Sequence, residues 1–151
     1  MRALVQRVKS ASVSIEGTLH NKIDRGMLIF LGVNKNDAEE AAQYLAQRCA
    51  CLRMFEDDQQ KMNLSVKEID GSALVVSQFT LYADTRKGNR PSFTDAASPE
   101  TAERLYQCFV RSLQAEIGDT NVATGVFRAM MEIQLVNDGP VTLMLESKEN
   151  Q

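Results

Sequence analysis

A chain of 151 residues, 44% hydrophobic and 25% charged, fits one domain, and at that length folding hides roughly 68–70% of the unfolded surface. Its net charge of −3 excludes a general nucleic-acid coat, which needs many Lys and Arg to neutralise phosphates. No apolar run approaches the roughly 18 residues of a membrane span.

Met1 leads straight into Arg2-Ala3-Leu4-Val5-Gln6-Arg7, without the basic, apolar and small-residue regions of a signal peptide, so a cytoplasmic address is expected. Residues 2–16 are rich in Val, Ile, Ser and Ala, with Val13 and Ile15 alternating with Ser12, Ser14 and Glu16, which reads as a strand. Residues 17–21 read as a turn. After Gly26, the apolar run Met27 to Val33 suits a strand buried on both faces.

Asn36 with Glu39 three residues on predicts a capped helix start. Ala38, Ala41, Ala42, Leu45, Ala46 and Cys49 then supply a core-facing stripe at helical spacing. Leu52–Phe55 and Ala73–Tyr82 read as strands. Ser98 and Pro99, a cap and a first-turn proline, open a second helix through Leu105, Phe109, Leu113 and Ile117 that stops at Gly118. Residues 130–136 and 141–145 read as a final strand pair around Asn-Asp-Gly-Pro, where Asp138-Gly139 signals a hairpin turn. No repeat, low-complexity tract or linker divides residues 1–151, so a single domain is expected. The fold class predicted is α+β: a strongly bent, β-barrel-like mixed sheet with two main helices.

Cys49, Cys51 and Cys108 lack paired C-x-x-C spacing, and His20 stands alone. The cysteines are read as structural, and neither a metal site nor a cofactor is expected.

Two stretches carry candidate chemistry. In Ser77-Gln78-Phe79-Thr80, period-two alternation puts Gln78 and Thr80 on one face with Tyr82; a bland solvent face and a site at a strand end both fit. In Asn137-Asp138-Gly139-Pro140, proline withdraws a ladder donor where an ordinary hairpin would begin pairing. Arg86, Lys87 and Arg90 form a local basic loop, marked as loop by Gly88, Asn89 and Pro91.

SQFTLYADTRKGNRPSF and NDGPVT, with MRALVQRV and LRMFEDDQQKMNLSV, closely resemble the D-aminoacyl-tRNA deacylase family over nearly the whole chain. The resemblance implies a homodimer with active sites at the subunit interface, and hydrolysis of the ester joining a D-amino acid, or glycine, to the tRNA 3′ end. It implies that Ser77, Gln78, Phe79 and Thr80 make the catalytic motif. It implies further that Gly139-Pro140 is a cis peptide lent to the partner's pocket, where bulk excludes an L side chain. By the same resemblance, Arg7 is expected to orient that motif, Met131 to lie near the terminal adenosine, and Asn137 and Lys87 to complete the substrate-binding set. No membrane, cofactor or protein partner other than a second copy is implied. Thr80 attacks or positions water, or else the substrate's ribose 2′-OH assists; the second route is preferred because no base is visible for Thr80. A non-catalytic tRNA 3′-end binder is the alternative. One departure stands out: Arg128 occupies a position where the family usually has glycine, so it crowds the adenosine side or adds a phosphate contact.

Overall fold

The computed structural model describes residues 1–147. Among these, the order is β1 (Arg2–Ile15), β2 (Thr18–Ile23), β3 (Gly26–Gly32), α1 (Glu39–Cys51), β4 (Phe55–Glu56), β5 (Met62–Leu64), β6 (Ser72–Ser77), α2 (Pro99–Ile117), β7 (Val122–Thr124) and β8 (Glu132–Glu146). Strands run β2-β1-β3-β6-β7 in one mixed sheet, with β8 on the other side of β1. The parallel pairs β3–β6 and β6–β7 require crossovers, which the segments containing α1 and α2 provide. Asn21 Nδ2 on β2 donates to Thr124 O on β7 at 2.7 Å, so the far edges meet and the sheet bends nearly into a barrel. The α+β, barrel-like class with two helices is the one observed.

Alternation explains why β3 and β6 are buried on both faces. Met27, Ile29, Leu31, Ala73 and Val75 face α1 and α2, against Leu45, Cys49, Leu105, Phe109 and Leu113. Leu28, Leu74 and Val76 face the barrel interior with Val8, Val13 and Ile23. A fully buried Leu or Phe stabilises by about 1.5–3 kcal/mol, so this double layer is the main source of stability. Space is tightest at Gly26, where a Cβ would lie 1.7 Å from Ser72 O; the β3–β6 pairing can begin there only because the side chain is hydrogen.

Helix α2 matches its sequence signals: Ser98 Oγ accepts from Thr101 N–H, Pro99 is the first helical residue, and Gly118 ends it. Several other expectations need correction. Residues 18–21 belong to β2, because Glu16 and Gly17, both at positive φ, complete a tight two-residue hairpin turn. Helix α1 begins at Glu39 with no side-chain cap. Asn36 cannot cap it: the loop is held instead by Asp37, which accepts from Asn34 N–H at 2.6 Å and from the Met1 amino group at 2.6 Å. The strand expected at 52–55 shrinks to Phe55–Glu56, paired with β5 in a separate two-stranded ribbon.

The largest correction concerns the end of the chain. Residues 132–146 form one strand, not a hairpin, and both halves pair antiparallel with β1, from Ser14↔Glu132 to Arg2↔Glu146. Between Val8↔Asn137 and Gln6↔Thr142, β8 spans five residues while β1 spans two. The intervening segment therefore bulges out of the ladder.

Candidate active site

Strand β6 ends at Ser77 because its neighbours end. The last β7 partner is Thr124 opposite Val75, β3 stops at Gly32, and Gln78 N–H makes a final bond to Leu31 O at 2.8 Å. The expected continuation to Tyr82 is instead a 3-10 turn over Phe79–Tyr82, so the alternation of Gln78, Thr80 and Tyr82 on one strand face does not hold. The turn brings Gln78 Nε2 into a hydrogen bond with Thr80 Oγ1. Leu81 N–H is bonded to Gln78 O; the amides of Phe79 and Thr80 open the turn, and first-turn amides have no helical acceptor. Phe79 is exposed and meets Phe93 edge-on, with centroids 5.1 Å apart.

Ser77, Gln78 and Phe79 line one wall of a cleft of about 580 Å³, opposite Phe127, Arg128, Ala129, Met130 and Met131, with Pro99 and Ala102 of α2 at its side. Its lining is mostly apolar. Gly125 makes room for Met131, since a Cβ there would lie 2.6 Å from the Met131 sulfur. Arg128 adopts φ +66°, the left-handed region where glycine is favoured. An arginine holds that conformation at a cost that glycine would not bear. Thr80 is exposed and lies outside the lining of the cleft.

Arg7, Asn137, Gly139 and Pro140 form a second cluster. Arg7 continues the parity of Ala3 and Val5 and is 4% exposed. Its Nη1 donates to Met54 O at 2.8 Å and its Nε to Asp138 O at 3.0 Å, with the Asp138 carboxylate 3.3 Å away. From the other side Asn137 Nδ2 donates to Arg7 O at 2.9 Å and Val141 O at 3.2 Å. Two side chains thus clamp the bulge, on which Gly139 and Pro140 are exposed and joined by a cis peptide bond. Neither residue lines the cleft of its own chain.

Lys87 lies on a third, exposed segment closed by the Asp84–Ser92 bridge. Arg86 is not free within it: it grips Asp84 at 2.9 and 2.7 Å, and these bonds hold the Asp84 carboxyl well below the usual range. A larger cleft, of about 790 Å³, lies beside Arg2, Asp37, Asp84, Arg86 and Glu146. Its charges are already paired, as Arg2–Glu146, Arg86–Asp84, Met1–Asp37 and Asp95–Lys35. Among the described residues no three of His, Cys, Asp and Glu gather to hold a metal, and no helix is long and apolar enough to cross a membrane.

The structure therefore brings Ser77, Gln78, Phe79 and Met131 together, sets Thr80 at the rim, and keeps Arg7, Asn137, Gly139 and Pro140 apart as a unit. Phe93, Pro99, Ala102 and Phe127 were not anticipated at the site. The Ser98-Pro99 helix start was readable in the sequence, but its position beside Ser77 depends on the crossover.

Fold and cleft together define a class: an α+β near-barrel with its site at the end of an interior strand. A model of the family described as D-Tyr-tRNA(Tyr) deacylase matches residues 4–146. A D-aminoacyl-tRNA deacylase from Koribacter versatilis (strain Ellin345) is 55% identical over 149 residues, covering 99% of both chains. A solved structure named c-Myc DNA Unwinding Element Binding Protein superposes with TM-score 0.94 at 37% identity, over 99% of this chain and 100% of the other. A probable eukaryotic D-amino acid tRNA deacylase shares the fold, with TM-score 0.81 at 16% identity over 96% and 98% of the two chains. The chain belongs to the D-Tyr-tRNA(Tyr) deacylase family.

Proposed function

We propose that this protein hydrolyses the ester of D-aminoacyl-tRNA, and of glycyl-tRNA, releasing the amino acid and free tRNA. Family membership supports the reaction. The single observation that carries the site assignment is the 3-10 turn at Phe79–Tyr82, whose first amides stand beside Ser77 at the edge of an apolar cleft. Water adds to the ester carbonyl, the Phe79 and Thr80 amides receive the developing oxyanion, and the bond to the ribose 3′-oxygen breaks. Loss of one such donor typically costs about 10²–10³ in rate.

Thr80 orients the substrate. Its hydroxyl is engaged by the Gln78 amide, which is no base and cannot activate a nucleophile. The ribose 2′-OH assists the proton transfer from attacking water to the leaving 3′-oxygen. Met131 packs near the terminal adenosine, and Lys87 meets a phosphate beyond it.

Selection against L-amino acids comes from a second copy of the chain. Gly139 and Pro140 are exposed, are held by Arg7 and Asn137, and lie outside their own cleft; this supports a homodimer in which each bulge enters the partner's site. Main chain packed there excludes an L side chain by bulk and tolerates any D side chain or none, so discrimination is by clash and not by pocket affinity. The substrate class supports a cytoplasmic site of action.

The test is incubation of purified protein with D-tyrosyl-tRNA, L-tyrosyl-tRNA and a D-tyrosyl ester on a tRNA ending in 2′-deoxyadenosine. Release of D-tyrosine alone, with a deoxy substrate slowed at least 100-fold, is expected. Binding without release would leave a tRNA-end binder, and full activity on the deoxy substrate would refute the 2′-OH route.

A further inference from the structure

Arg128 is the single charged residue among those lining the Ser77 cleft. It is exposed, and among the described residues its guanidinium has no hydrogen bond or ion pair. Its backbone stands at φ +66°, which L side chains adopt at a cost and glycine does not. Next to it, Met130 is 90% exposed, and Met131 and Phe79 offer further apolar surface. An unpaired cation on an apolar wall is a receptor for an anion, and guanidinium forks fit phosphate oxygens in a bidentate manner.

The proposed substrate narrows the choice of anion, and the inference rests on that reading for the identity of the RNA. Its aminoacyl end carries an ammonium and an ester and no negative charge. The nearest anion is the phosphodiester joining the last two nucleotides. We propose that Arg128 binds this terminal phosphodiester and is a specificity-determining contact of this chain for RNA-linked esters. Crowding of the cleft, the other consequence of an arginine here, predicts the opposite sign: glycine at 128 would then tighten binding.

The test measures binding, so that it stands apart from catalysis. A fluorescent single-stranded RNA ending in CCA is titrated with the wild type, Arg128→Gly and Arg128→Lys, using either a natural or an uncharged methylphosphonate linkage between the last two nucleotides. Arg128→Gly relaxes the backbone, so its thermal midpoint does not fall, and a folding defect is not mistaken for a lost contact. The expected result is about tenfold weaker binding of the natural RNA, with the slope of log K against log salt shallower by about 0.7. The uncharged linkage then weakens binding to the wild type about tenfold and to Arg128→Gly hardly at all, the mark of a direct coupling. Arg128→Lys retains most of the salt slope. Tighter or unchanged binding by Arg128→Gly, an equal effect of the linkage on both proteins, or no binding of the CCA strand by the wild type overturns the proposal. Separately, D-tyrosine release from intact D-tyrosyl-tRNA reports on the enzymatic reading. Binding with the predicted coupling but without release would sink that reading and leave the phosphate contact standing.

Discussion

Replacing Arg7 by alanine tests the clamp on the β8 bulge. In the native fold Arg7 is 4% exposed and its guanidinium serves two main-chain carbonyls, Met54 O at 2.8 Å and Asp138 O at 3.0 Å. Its charge also faces the Asp138 carboxylate at 3.3 Å, but that group is about one-third exposed, so the ion pair is screened by solvent and adds little. Removing the side chain strands the Met54 carbonyl among core residues, at about 1–3 kcal/mol, and leaves a void that adds about 1 kcal/mol. The total expected is about 2–4 kcal/mol. For a chain of this length each kcal/mol lowers the melting temperature by roughly 2–4 °C, giving a drop of roughly 4–16 °C at fixed protein concentration. Arg7→Lys recovers less than half, because an ammonium on a flexible stem does not span both carbonyls in one plane. Urea unfolding followed by circular dichroism measures the stability, and D-tyrosine release measures activity; on the proposed reading activity falls further than stability, because the β8 bulge no longer fits the partner's cleft. A change below about 0.5 kcal/mol for Arg7→Ala, with discrimination against L-tyrosyl-tRNA intact, would refute the clamp.

At Gly125, alanine puts a Cβ 2.6 Å from the Met131 sulfur. That thioether is flexible and moves toward the cleft, so KM rises about threefold to tenfold while the unfolding free energy changes by less than about 1.5 kcal/mol; steady-state kinetics and urea titration check the two. Thiol labelling at pH 8 modifies the exposed Cys51 quickly and spares the buried Cys49 and Cys108. Burial pushes the Cys49 thiol up to about 12. Between about pH 9 and 12 the folded state therefore keeps a proton that the unfolded state has lost, and stability falls as pH rises, by at most about 1.4 kcal/mol per unit from this group. Comparing the alkaline slopes of wild type and Cys49→Ala isolates that contribution.

Burial on two faces made β3 and β6 legible as apolar runs, and local capping chemistry made α2 legible from Ser98 to Gly118. Where distant partners override local preference, the reading failed. Asp138-Gly139 is a good hairpin signal, yet β1 offers both flanks a common neighbour, and pairing with it outweighs the turn. Asn36 is a good cap, but Asp37 engages Asn34 N–H and the Met1 amino group, delaying the helix to Glu39. The strand from Ala73 stops at Ser77 because β3 and β7 run out, a fact about neighbours that no local pattern contains. The motifs that name the candidate site were legible through family likeness. The opposite wall around Phe127, and the left-handed conformation of Arg128, became visible only with the fold.

The excursion at residues 138–141 has both ends pinned to the same strand, at Val8 and at Gln6. Each flank is held by its own ladder to β1, so a residue added to or removed from the excursion changes how far it protrudes and leaves both flanks in register. Val141, which sits in the helix-side layer at 6% exposure, anchors the near end. The reach of the protrusion can thus be retuned without disturbing the sheet that carries it.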